Sequence, residues 1–289
     1  MADAKDKCVI SCALTGVLTN PKFHPVPVTP EEMAREARRA ADAGATIVHC
    51  HFRDQRPDMG FLPSWDPKVA IAIIDAIKAE VPEMLINMST GVPGKDIEGP
   101  LACLREGKPH MAAMNSGSLN YLKLNKKKEW AWPPMLFGNP VDKIQAYLDV
   151  MHENNIVPEF ECFDTGIVRS VGLFEDKGMI KQPAHVSFVM GIASGMPADT
   201  DLLPILIRQL RPNSKFQTIV IGRSEIWDVH RRCAELGGNV RTGLEDTFYL
   251  PAGDKVDSNG PLVEALVKIV KETGREPANF EEARQMALH

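Results

Sequence analysis

A short apolar run that stops at a polar turn, followed by an amphipathic helical stretch, recurs eight times along this chain, and few folds accept that cadence. Cys8-Val9-Ile10-Ser11-Cys12-Ala13-Leu14 reads as a first strand, buried on both faces and ending at Thr15-Gly16. Residues 20–28, punctuated by Pro21, Pro25 and Pro27, form a loop, and Thr29, Pro30 and Glu32 supply the N-cap, first-turn proline and capping-box partner of a helix that reaches Ala43-Gly44. The second strand starts at Ile47. Further strands are expected at Met84–Met88, His110–Asn115, Val157–Phe163, Ala184–Met190, Gln217–Ile221 and Asn239–Thr242. Between them lie helices from Asp66-Pro67 to Lys78, Ile97 to Arg105, Asn139 to Asn154, Gly166 to Lys177, Thr200 to Leu210 and Ser224 to Leu236. A helix from Pro261 to Thr273 and a helical tail from Asn279 close the chain. This order predicts a single (β/α)8 TIM barrel over residues 1–289, a length close to the roughly 250 residues such barrels use. A doubly wound open sheet is the alternative, but no Gly-x-Gly-x-x-Gly follows the first strand. The stretch from Asn120 to Gly138, with Trp130, Trp132, Pro133 and Pro134, is too long and aromatic for a plain connection and is expected to cover an active face or a neighbouring subunit.

Composition removes several function classes. The net charge is −5 and the one basic cluster is Lys126-Lys127-Lys128, which argues against nucleic acid as a partner, because neutralising phosphates supplies most of such binding. Six scattered cysteines without a CxxC pair read as reduced thiols rather than a disulfide framework. The start, Met1 to Asp6, is polar, and no apolar run approaches the roughly 18 residues of a membrane span. A soluble, cytoplasmic protein is expected.

Chemistry concentrates where strands end. His49 and His51 flank Cys50, so in a strand they share one face. Alone, that pair fits a divalent-metal site and a hydrogen-bonded core feature about equally well. The other strand ends offer Thr15, Ser89 with Thr90, Asn115 with Ser118, Glu159 with Glu161 and Asp164, Gly191, Gly222-Arg223-Ser224, and Arg241 with Glu245 and Asp246, whereas the strand starts look plain. In a barrel that rim is the reactive face, so the asymmetry argues for an enzyme. An open metal site wants a third ligand, and barrel closure brings Glu245 near the first two strands. Glu159 and Glu161 are the less favoured candidates, and a structural ion-pair network of Arg241, Glu245 and Asp246 is the competing reading.

Four separated strings, Val48-His49-Cys50-His51-Phe52-Arg53-Asp54, Asn87-x-Ser89-Thr90-Gly91, Pro158-Glu159-Phe160-Glu161-Cys162-Phe163-Asp164 and Gly238 to Asp246, together resemble the β-keto acid cleavage enzymes across nearly the whole chain. The resemblance implies a zinc-dependent barrel, usually a homotetramer, that condenses a β-keto acid with acetyl-CoA and yields acetoacetate plus a new acyl-CoA. It implies His49, His51 and Glu245 as ligands to Zn2+, Asp246 as base supported by Arg241, Ser89 as a holder of the keto acid's carboxylate, and Ser118 as the hydroxyl after strand four. Some members carry a glutamate where this chain has Thr15, a loss of charge that bears on the substrate's tail.

The residues support that chemistry on their own terms. A β-keto acid chelates a Lewis acid through two oxygens, which eases loss of the proton between them, and Asp246 is the neighbouring base. Arg241 is expected to orient Asp246 and lower its proton affinity. Thr15, Ser89, Thr90, Asn115, Ser118, Glu159 and Glu161 make up the expected substrate surface. For acetyl-CoA, Gly222-Arg223-Ser224 before a helix is a candidate phosphate turn and Gly191 opens a small, apolar loop for the pantetheine arm, although both are equally consistent with ordinary turns. Trp65, Tyr121, Trp130 and Trp132 could wall an apolar tail or a quaternary ammonium, with oligomer packing the competing use. A metal-dependent aldolase or hydrolase without CoA, and a silent metal-binding protein, are the rival functions.

Overall fold

The computed structural model describes residues 6–181 and 183–288; the polar residues 1–5 at the start fall outside that range. Eight parallel strands close into a barrel: β1 (Ile10–Ala13), β2 (Ile47–Cys50), β3 (Leu85–Met88), β4 (Met111–Asn115), β5 (Val157–Cys162), β6 (His185–Met190), β7 (Lys215–Val220) and β8 (Asn239–Thr242), with β8 pairing back onto β1. The helices that follow them are α1 (Pro30–Ala43), α2 (Pro67–Glu80), α3 (Glu98–Gly107), α4 (Val141–Glu153), α5 (Thr165–Lys177), α6 (Leu202–Ile207), α7 (Ile226–Glu235) and α8 (Asn259–Glu272), and α9 (Phe280–Leu288) ends the described chain. The expected TIM barrel is the observed fold.

Local signals explain most boundaries. Thr29 caps α1 by accepting from the Glu32 N–H while the Glu32 side chain accepts from the Thr29 N–H, the reciprocal pair expected from that spacing. The first strand is shorter than Cys8–Leu14 because the Val9 N–H donates to Asn239 Oδ1 at 2.9 Å; Lys7–Cys8 leaves the barrel and pairs with Glu276–Pro277. The α7 helix begins two residues after Ser224, and its cap residue Glu225 makes no side-chain cap bond. The long 120–138 stretch is a β-hairpin, with Leu119–Tyr121 antiparallel to Met135–Phe137. Lys126 to Lys128 lie exposed at its tip.

The two ends of the barrel differ. At the amino ends, Val9, Ile47, Leu85, Met111 and Val157 pack against Ala278, Ala283 and Ala287, so α9 closes the bottom with small residues. The strand starts are not plain, however. Inward residues of the lower and middle barrel include Ser11, Asn87, Glu159, Ser187 and Gln217, and two bonds join four of them: Asn87 Nδ2 donates to Glu159 Oε2 at 2.8 Å and Gln217 Nε2 to Ser187 Oγ at 2.9 Å, while Asn87 Oδ1 and Glu159 Oε1 have no hydrogen-bond partner among the described residues. Polar atoms are tolerated inside a barrel when they are paired in this way, which the strand-by-strand reading could not reveal. A cavity of about 20 Å³ beneath them, lined in part by Glu159, His185 and Lys215, has the size of a single water.

No helix among the described residues is long and apolar enough to cross a membrane. All six cysteines are buried and unpaired.

Candidate active site at the carboxyl rim

Strand register sets the site. His49 on β2 lies level with Ala13 on β1 and Asn87 on β3, and His51 continues past the strand end. The β2 end is held by the Leu14 N–H donating to His49 O at 3.1 Å and by the Ser89 N–H donating to Cys50 O at 3.0 Å. Across the closure, the turn after β8 delivers Glu245 and Asp246. Gly243 makes that turn possible: its φ is +146°, and a Cβ there would lie 2.2 Å from Ala13 O. Asp246 and Thr247 then close the turn by donating backbone N–H groups to Gly243 O at 2.9 and 3.0 Å.

The result is convergence of three ligand-type side chains. Glu245 Oε1 is 3.3 Å from His51 Nε2, and Glu245 Oε2 is 3.7 Å from His49 Nε2. One donor atom from each of His49, His51 and Glu245 lies within 4.8 Å of the others, so the set could hold a metal ion. Its chemistry fits: burial, reinforced by the positive Arg241, keeps His49 neutral and able to donate a lone pair. Burial disfavours the charge on Glu245, but His51 and Arg241 outweigh it and hold the carboxyl well below its usual range. Glu245 Oε2 is buried with no hydrogen-bond partner among the described residues, as a carboxylate oxygen reserved for a ligand would be.

Arg241, itself buried, organises the carboxylates. Its Nε donates to Asp246 Oδ2 at 3.0 Å, Nη2 donates to Asp246 Oδ1 at 2.9 Å and to Glu245 Oε1 at 3.0 Å, and Nη1 lies 3.6 Å from Glu161 Oε1. Both readings of this cluster are therefore present at once, because the ion-pair network and the histidine-facing carboxylate share Glu245. Arg241 orients Asp246 and lowers its proton affinity as expected, but burial raises that affinity by more, so the Asp246 carboxyl stands above its ordinary value. Burial likewise pushes Glu161 up to about 8, against the pull of Arg241.

The other expected residues separate into groups. Ser89 and Asn115 stay at the rim around Gly91, where a Cβ would meet Asn115 Nδ2 at 3.6 Å, Phe137 Cζ at 3.7 Å and Ser89 Oγ at 4.0 Å. Glu159 pairs in register with His185, the first residue of β6, and is bonded to Asn87; it sits one layer below Glu161, which pairs with Asn115 and Ser187. The hydroxyls of Thr15 and Thr90 are committed to the scaffold as donors, and that of the exposed Ser118 accepts one bond from it. Thr15 Oγ1 donates to Pro27 O at 2.6 Å, Thr90 Oγ1 donates to Ala113 O, and Ser118 Oγ accepts from the Asn139 N–H at 2.7 Å. Gly191, at φ +84°, lets β6 end against β7, since a Cβ would lie 2.0 Å from Ile221 O. Gly222 bridges to the site turn, its N–H reaching Asp246 O at 3.3 Å, while Arg223 and Ser224 are exposed and Arg223 lies over the Tyr249 ring at 5.0 Å. The four aromatic residues do not form one wall: Tyr121 stacks on Trp132 in the hairpin, Trp130 is exposed, and Trp65 packs on the helical layer beside Gly99.

Sequence reasoning overlooked Arg53 and Tyr147. Arg53 is buried at the β2 end and donates from Nε to Thr15 Oγ1 at 2.9 Å, from Nη2 to Thr15 O at 3.0 Å and from Nη1 to Gly60 O at 2.8 Å, so it fastens the β1 exit. Its alternation with His49 and His51 was the available signal. The Tyr147 hydroxyl donates to Thr90 O at 3.1 Å and steadies the turn that carries Ser89; nothing in the amphipathic stripe of α4 distinguishes it from core.

Comparison with known proteins adds a second line of observation. The profile of the family described as beta-keto acid cleavage enzyme matches residues 7–288. The chain is 33% identical over 283 residues to the 3-keto-5-aminohexanoate cleavage enzyme of Acetoanaerobium sticklandii, covering 97% of this chain and 98% of that protein. It is 31% identical over 286 residues to the 3-oxoadipate:acetyl-CoA acetyltransferase of Cupriavidus necator, covering 96% of this chain and 94% of that one. Among solved structures, the apo form of ObcA is similar with a TM-score of 0.75 at 19% identity, over 91% of this chain and 65% of that chain, a likeness of fold alone.

Proposed function

Because this chain belongs to the β-keto acid cleavage enzyme family, we propose that it condenses a β-keto acid with acetyl-CoA and releases acetoacetate and a new acyl-CoA. The observation that carries this reading is the meeting of His49, His51 and Glu245 with the Arg241–Asp246 pair at one rim. Two imidazoles and a carboxylate are the donor set of open catalytic zinc sites, and a zinc ion held there would polarise the ketone and carboxylate oxygens of the substrate.

The chain's own residues supply the rest. Asp246 takes the proton from the carbon between the two carbonyl groups, its carboxylate fixed in orientation by two bonds from Arg241. The resulting enolate carbon attacks the acetyl carbonyl and displaces the CoA thiolate. That thiolate adds to the substrate's own ketone carbon, the bond from that carbon to the former enolate carbon breaks, and acetoacetate leaves with the bonding electrons and recovers a proton. Ser89 and Asn115 border the space at Gly91 and are assigned to the substrate carboxylate. The exposed Arg223 and Ser224, the Gly222 turn and the loop begun by Gly191 are assigned to the anionic, extended CoA. With its hydroxyl engaged by Pro27 and Arg53, Thr15 presents no charge to the tail of the substrate.

We further propose a single-domain, cytoplasmic homotetramer. Six unpaired thiols suit a reducing compartment, and exposed Leu124, Trp130, Met135 and Leu136 on the hairpin offer apolar surface to another copy. The functional test is to incubate zinc-loaded protein with acetyl-CoA and a panel of β-keto acids and follow products by mass spectrometry. Acetoacetate and a matching acyl-CoA should appear together and vanish when the metal is chelated. Substrate loss without acetyl-CoA would point to an aldolase or hydrolase, and no product across a broad panel would refute the reading.

A further inference from the structure

The turn that carries Glu245 and Asp246 is held from behind by a residue outside the barrel. Asn259 opens α8, is fully buried, and uses its side-chain amide on both sides. Its Oδ1 accepts the Leu244 N–H at 2.9 Å and the Cys12 thiol at 3.4 Å; its Nδ2 donates to Leu14 O at 3.2 Å and to Glu36 Oε2 at 2.8 Å. The Asn259 backbone N–H reaches the same Glu36 oxygen at 2.8 Å. One amide therefore joins the end of β1, the turn after β8, α1 and α8, across as many as 247 residues of sequence.

Leu244 directly precedes Glu245, whose own N–H makes a longer bond of 3.3 Å to Ala13 O. The turn is thus pinned at two adjacent amides, directly to Ala13 of β1 and, by the shorter bond, to Asn259, which holds Leu14 at the exit of β1. Glu36 completes the arrangement. Ser258 makes no side-chain cap bond at α8, and the Glu36 carboxylate takes that place with its negative charge at the helix N-terminus, while Arg39 Nη1 pairs with its other oxygen at 2.5 Å.

We infer that Asn259, backed by Glu36, is a positioning residue that sets Glu245 and Asp246 against the two histidines. The inference rests on the reading that Glu245 holds a metal. Without the amide, the Leu244 N–H and Leu14 C=O are buried without partners, and the turn relieves both by moving away from β1 and taking Glu245 with it. A purely structural role would lower stability and leave metal affinity alone. Asn239 provides the comparison, since it also bridges β8 to the start of β1, through the Val9 N–H at 2.9 Å, but at the opposite end of the barrel.

The test uses Co2+ alone as the probe, with affinity from chelator competition and geometry from the visible spectrum of the bound ion, on the full chain well below its melting temperature. Asn259→Ala should weaken Co2+ binding about 10- to 100-fold and alter the spectrum, the range seen when partners behind metal ligands are lost. Glu36→Gln should shift both in the same direction by a smaller factor, and it decides the matter on the same terms if Asn259→Ala does not fold. Asn239→Ala should lose stability and keep affinity within about twofold by the same standard. Unchanged affinity and spectrum in the Asn259 and Glu36 variants, or an equal loss in the Asn239 variant, would overturn the positioning role. If the unaltered protein binds no Co2+, the metal reading itself falls, and the inference with it.

Discussion

The two ends of the barrel solve opposite problems with the same strands. At the bottom, α9 sets alanines against Val9, Ile47, Leu85, Met111 and Val157, and in the polar layer above them Asn87 bonds Glu159 and Gln217 bonds Ser187, with one oxygen each of Asn87 and Glu159 left without a partner among the described residues. At the top, His49 Nδ1, Arg241 Nη1 and Glu245 Oε2 are buried without hydrogen-bond partners among the described residues, within a few ångströms of two further carboxylates. A protein interior rarely leaves several such atoms in one place unless something else is to meet them. The contrast teaches that one end is built for cohesion and the other for a ligand.

Substitutions at the two ends should therefore separate activity from stability. The largest effect is expected from Asp246→Asn, which should lower kcat about 1000-fold, within the range for loss of a general base, while chelator competition shows metal affinity close to that of the unaltered protein. An active, metal-replete variant would remove Asp246 from its role. Next, Glu245→Ala should weaken divalent-ion binding by more than the roughly 100-fold seen for residues behind a ligand, measured by the same competition. At the other end, Leu85→Ala should cost about 2–5 kcal/mol in urea unfolding and leave metal affinity unchanged, since it opens a cavity in the closed bottom layer. Loss of metal affinity in that variant would blur the distinction between the ends.

The smallest effect concerns pH. Burial holds the His230 imidazole, in contact with Thr218 Oγ1 at 3.0 Å, down at about 3, below the ordinary histidine value of about 6.5. In that window the unfolded chain binds the proton that the folded one refuses. Stability contributed by the neutral ring is complete above about pH 6.5 and declines as the pH falls toward 3. His230→Gln should flatten that decline by up to about 1.4 kcal/mol per pH unit, read from unfolding curves at several pH values, without touching metal affinity. An equally steep acid decline in the variant would assign the loss to other groups.

Much of this contrast is legible in the amino-acid order. Periodicity marks each strand and helix, and the polar residues that terminate strands mark the reactive rim, because a closed parallel barrel puts all those termini on one side. What the order conceals is depth and commitment. Glu159 and Glu161 share a face, yet one faces Asn87 in a lower layer and the other approaches Arg241, a difference fixed by strand register. The hydroxyls of Thr15 and Thr90 looked available for substrate and instead donate to backbone carbonyls of neighbouring segments. Asn259, two residues before the helix expected from Pro261, carries no signal of its role in the sequence, because its partners lie in segments that only the closed barrel brings together.

The most direct measurement follows carbon. Protein loaded with zinc is given a β-keto acid and acetyl-CoA labelled with ¹³C in both acetyl carbons, and the products are analysed by mass spectrometry and NMR. The account predicts acetoacetate labelled at its ketone and methyl carbons beside an unlabelled acyl-CoA built from the substrate's own chain. Unlabelled acetoacetate, or label retained in the product thioester, would contradict it.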